Sequence, residues 1–101
     1  MYMTVSKISR KDATDCTDSD ISTVVPALPS HEAFQAYVVA RQAEGKVIYR
    51  SHSINDAKEV ETVTLYAAQA DYDAFKVDAS FTALVAELAI IYDSVVTEET
   101  I

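Results

Sequence analysis

The stretch from Asp78 to Val96 constrains this chain most. Phe81, Leu84, Val85, Leu88, Ile91, Tyr92 and Val95 recur at spacings of three and four. That period is the apolar stripe of an amphipathic helix facing a core. Asp78 stands where an N-cap belongs, with a carboxylate to accept from the free first-turn amides. No other stretch has so clear a helical period, so the remainder is read as the surface this helix covers.

The 101 residues suit one domain, 1–101, with 10–29 as a long connection inside it. Half the residues are apolar and 24% are charged, a globular composition. Sixteen acids against eight bases give a net charge of −8. That balance argues against nucleic acid as a partner, because phosphates need Lys and Arg opposite them. It argues equally against docking on anionic membranes. From Asp71 onward seven acids face Lys76 alone, which a solvated helix face explains. Cys16 is the single cysteine, so no intrachain disulfide forms, and its neighbours Asp15 and Asp18 disfavour a reactive thiolate. With no signal-peptide pattern and no eighteen-residue apolar run, the expected compartment is the cytoplasm.

Residues 1–9 alternate as a strand would. Arg10 to Asp20 is rich in Asp and hydroxyls, and Ile21, Val24, Val25 and Leu28 then fall at helical spacing. Against a helix there stand the β-branched run Ser22-Thr23-Val24-Val25 and the interruptions at Pro26 and Pro29. A connection this long is the kind found as a mobile segment or lid. Ser30 is the expected cap of a helix over 31–44, closed by Gly45, the only glycine. Its stripe is read as Phe34, Tyr37, Val38 and Arg41. His31, in the first turn, is read as a surface residue. Lys46 to Ile54 and Glu59 to Ala67 alternate around the turn Asn55-Asp56-Ala57-Lys58, which makes an antiparallel hairpin. Residues 68–77 are helical by propensity, and Asp78 restarts the pattern, so a broken helix pair is expected. The tail from Val95 to Ile101 is β-branched and fits a short last strand or a frayed end.

The order is strand, helix, strand, strand, helix, strand. This is the α+β, ferredoxin-like βαββαβ pattern, a four-stranded antiparallel sheet with helices on one face. Apolar groups on the other face predict a homodimer, sheet against sheet.

From about residue 30 onward the chain resembles the dimeric α+β barrel superfamily, which includes the antibiotic-biosynthesis monooxygenase-like proteins. The resemblance rests on Glu32-Ala33-Phe34 opening the first long helix and on the hairpin from Val47-Ile48-Tyr49 to Thr64-Leu65-Tyr66. It rests also on Tyr72-Asp73-Ala74-Phe75 followed by Asp78-Ala79-Ser80-Phe81. It implies a dimeric α+β barrel and cofactor-independent oxidation of a small aromatic or polyketide-like molecule. The Trp of haem-degrading members is missing, and the 10–28 connection is longer than the family's usual one.

Among the residues themselves, one hairpin face carries Arg50, His52, Thr62, Thr64 and Tyr66. Side chains two apart on a strand share a face. If that face lines a cavity, His52 is the candidate general base, Arg50 the anion holder and Tyr66 the group that orients a substrate. If it is instead a dimer contact or a solvated surface, Arg50 pairs with Glu59 or Glu61. Tyr37, Tyr49 and Thr64 are the further candidates for binding a small apolar or aromatic ligand. Two histidines without metal-site spacing make a zinc site a poor fit, and one glycine cannot build a nucleotide loop. Helix capping accounts for Asp71, Asp73 and Asp78. No cofactor is expected. The competing function is a non-enzymatic ligand-binding or assembly dimer on the same fold.

Overall fold

The computed structural model describes residues 1–101. Strand β1 (Tyr2–Arg10) leads through a long connection containing one π-helical turn (Asp20–Val24) to helix α1 (His31–Ala43). The hairpin β2 (Val47–Ile54) and β3 (Val60–Tyr66) follows, then α2 (Gln69–Phe75), α3 (Ala79–Ile91) and β4 (Tyr92–Thr100). The four strands form one antiparallel sheet in the order β2-β3-β1-β4. This is the ferredoxin-like arrangement expected from the element order.

Local chemistry sets most boundaries. Gly45, at φ +73°, ends α1 in the left-handed conformation that glycine adopts without a Cβ penalty. Asp78 caps α3, its carboxylate accepting from the amides of Ser80 (3.0 Å) and Phe81 (3.1 Å). Asp71, in the first turn of α2, reaches back to accept from the Ala68 amide, whereas Asp73 pairs with Lys76 and caps nothing. Ser30 precedes α1 but makes no cap bond. Its amide and hydroxyl both donate to Glu87 on α3, tying the two long helices together.

The structure also departs from the sequence reading in the strands. The helix begun at Ala79 stops at Ile91, so Tyr92, Val95 and Val96 belong to a nine-residue strand. The helical period runs on through these residues, but β1 offers a full ladder from Arg10↔Tyr92 to Tyr2↔Thr100, and β-branched side chains suit it. In β2 the register shifts between Val47 and Tyr49. This bulge puts Val47 on the same face as Arg50, where it is buried, and leaves Ile48 half exposed.

The helix-covered face of the sheet carries two separate apolar clusters. One joins Tyr2, Val47 and Tyr66 of the sheet to Phe34, Val38, Tyr72, Phe75 and Leu84. The other joins Ile8, Val60 and Tyr92 to Cys16 and is flanked by Ile21, Val24 and Val25. Between them, the residues of β1 and β3 are Thr4, Ser6, Thr62 and Thr64, paired as Thr4↔Thr64 and Ser6↔Thr62. Short hydroxyl side chains cannot fill the space under the helices. The core is therefore split, with a gap in the middle.

A candidate active-site cavity

That gap is a cavity of about 650 Å³, within the range of small-molecule sites. Its floor is the hydroxyl row of β1 and β3, and its roof is Phe81, Leu84, Val85 and Leu88 of α3. One wall is α1, through His31, Phe34, Gln35, Val38 and Gln42. The connection after β1 adds Ile21, Val25 and Pro26. The polar end is the hairpin face: Arg50, His52, Thr62, Thr64 and Tyr66 all line the cavity.

Strand register explains how these groups meet. Arg50 is opposite Thr64 and His52 opposite Thr62. The Arg50 Nη1 donates to Thr64 Oγ1 at 3.2 Å, and its guanidinium sits 5.1 Å from the Phe34 ring centre and 5.8 Å from that of Phe75. These distances are within cation–π range. Arg50 forms no ion pair: Glu61 lies near Lys7, and Glu59 accepts from Asn55. Burial lowers the Arg50 pKa, although a guanidinium stays charged at any ordinary pH.

His52 Nδ1 lies 2.7 Å from Thr62 Oγ1. Burial, followed by the charges of Arg50 and His31, pushes its pKa down to about 4. The ring is nonetheless exposed, so it stands at the cavity mouth, where protein surrounds it on several sides and solvent still reaches it. Tyr66 is 1% exposed, and burial pushes its hydroxyl up to about 12 against the opposing pull of Thr4 and Arg50. It is therefore a neutral donor at physiological pH.

Two of the ligand-binding candidates lie elsewhere. Tyr49 is on the opposite face of the sheet and 55% exposed. Tyr37 packs edge-on behind Phe75 and under Arg41, outside the cavity. Conversely, His31, taken as a surface residue, is half-buried in the cavity wall with Gln35 and Gln42. The spacing of His31, Phe34, Gln35, Val38 and Gln42 is a helical stripe rotated from the one read in sequence. Its polar members hid it. No group of three His, Cys, Asp or Glu side chains is placed to hold a metal ion. No helix is long and apolar enough to cross a membrane.

No family model matches the sequence, and no curated protein matches it. Solved structures do match. One is an antibiotic biosynthesis monooxygenase, 14% identical over 100% of this chain and 98% of its own, with a TM-score of 0.66. SnoaB, a cofactor-independent oxygenase from Streptomyces nogalater, is 11% identical over 99% of this chain and 91% of its own, at 0.62. A dimeric ferredoxin-like protein from an uncultured marine organism is 12% identical over 100% of this chain and 94% of its own, at 0.67. These matches span 99–100% of the chain and give it the ferredoxin-like fold of those structures.

Proposed function

We propose that this protein is a cofactor-independent monooxygenase-like enzyme acting on a small aromatic or polyketide-like molecule. The observation that carries the reading is the convergence of a neutral imidazole, an unpaired guanidinium and a neutral phenol on one cavity beneath an apolar roof. Its likeness in fold to SnoaB, itself a cofactor-independent oxygenase, supports the same chemistry.

The reaction that such groups serve starts from an acidic C–H flanked by aryl or carbonyl groups. His52, with Nδ1–H donating to Thr62, presents its Nε2 lone pair and takes the proton. The substrate oxygen that becomes negative is held by Arg50, and Tyr66 donates to orient the ring. The resulting carbanion is electron-rich enough to reduce O₂. The balance is R₂CH₂ + O₂ → R₂C=O + H₂O, with one oxygen atom retained by the product and the other leaving as water. The reductant is the substrate. The working unit in this reading is a cytoplasmic homodimer formed through the uncovered sheet face.

Oxygen uptake with anthrone, a tricyclic ketone with an acidic CH₂, tests the reading. Wild type should consume one O₂ per quinone formed, and His52→Ala should lower kcat by about 10²-fold or more. Uptake no faster than in buffer, or an unchanged rate in His52→Ala, would retire it.

A further inference from the structure

Sixteen of the 101 residues are acids, yet none of them lines the cavity. Its single charged side chain is Arg50. The acids that approach from neighbouring elements are engaged elsewhere. Asp20 is held by Arg10 at 2.7 Å and by the Tyr92 hydroxyl at 2.6 Å. Glu87 accepts from Ser30, Glu59 from Asn55, and Glu61 lies 3.9 Å from Lys7. A chain of net charge −8 has thus kept one positive, uncompensated spot inside.

Of the Arg50 donors, one is used on Thr64, and no carboxylate of the chain answers the charge. The Phe34 and Phe75 ring centres lie 5.1 and 5.8 Å from the guanidinium, within cation–π range. Arg50 is half-buried, and partly desolvating a charge without a counter-ion costs free energy that a bound anion would offset. Low-dielectric walls of Phe, Leu and Val focus that field on whatever enters.

We infer that the cavity binds planar aromatic carboxylates, with the acid group paired to Arg50 across the open donors of its guanidinium and the ring lying beneath Phe81, Leu84 and Leu88. The ligand arrives already ionised, before any proton is taken by His52. The inference deepens the oxygenase reading by naming its substrate class, and it rests on that reading only for what happens after binding.

Calorimetric titration of the whole protein with 2-naphthoate and with its neutral isostere 2-naphthamide separates charge from shape. Naphthoate should bind at least 10-fold more tightly to wild type. Arg50→Gln should bring the two ligands within about 2-fold of each other, and Arg50→Lys should keep part of the preference, both variants melting as folded proteins by circular dichroism. Equal affinity of the two ligands for wild type, a preference that persists in Arg50→Gln, or no binding of either up to millimolar concentration would each overturn the inference. Oxygen uptake is scored separately. Selective naphthoate binding without any turnover of anthrone or 1,4-dihydroxy-2-naphthoate would leave the anion site standing and remove the oxygenase. Turnover of anthrone that depends on His52, with naphthoate and naphthamide bound equally well, would do the reverse.

Discussion

At the scale of single residues, two titrating groups govern pH behaviour in different ways. His52 titrates near pH 4 in the fold against about 6.5 in a free chain. A base that is deprotonated across the neutral range should give a kcat/KM profile whose acid limb falls near pH 4, since that profile reports the free enzyme. An acid limb at 6.5 would mean another residue is the base. The same depressed pKa works against folding in acid. Between pH 6.5 and 4 the unfolded chain binds a proton that the fold does not, so stability falls as pH falls through that window.

Asp20 behaves as a structural counterpart. Burial raises its pKa, but the Tyr92 hydroxyl, the Thr17 amide and Arg10 outweigh it, and the net shift is downward. A carboxylate depressed in the fold contributes stability above its unfolded pKa, about 3.9, and loses it as pH falls through the lower folded value. This side chain is 1% exposed and ties the connection after β1 to β4 through Tyr92. Replacing it strands buried partners. Asp20→Asn should cost about 3 kcal/mol in urea denaturation at pH 7, with the gap to wild type closing below about pH 4.

At the scale of elements, the boundaries set by a single strong local device were legible in the sequence. Gly45 and Asp78 both sit where their chemistry requires, and Asp78→Ala should cost about 1 kcal/mol, read from thermal melts. The α2–α3 break follows from that cap. What could not be read were choices made by tertiary partners. Tyr92 and Val95 satisfy a helical period as well as a strand, and only the ladder offered by β1 decides between them. The bulge at Val47 likewise depends on how β2 registers against β3, which no local signal announces. The connection between β1 and α1 offered two readings, helix or loop. The π-helical turn takes something of both, and Val25 donates its amide to Asp20 across it.

At the scale of the whole molecule, the polar end of the cavity was legible and its existence was not. Arg50, His52, Thr62, Thr64 and Tyr66 share a face by alternation alone. The gap depends on Thr4 and Ser6 arriving opposite Thr64 and Thr62, and so on a pairing between strands more than fifty residues apart. The other face of the same sheet is uncovered. Met3 and Leu65 are paired there, as are Val5 and Val63, with Tyr49 and Val95 standing exposed on either side. Lys7, Glu61, Asp93 and Glu99 lie around this apolar patch. An apolar centre with a charged rim has the anatomy of an interface core and is self-complementary under a two-fold axis. Dimerisation by this face would leave the cavity, which lies on the other face, open to its ligand. Val63→Glu puts a carboxylate in the middle of the patch on both copies of an already acidic protein, where the two charges would oppose each other without a counter-ion. Sedimentation velocity at about 20 μM should therefore show a dimer for wild type and a folded monomer for Val63→Glu, with naphthoate binding retained. A wild-type monomer at that concentration, or a dimer unaffected by the substitution, would move the interface off this face.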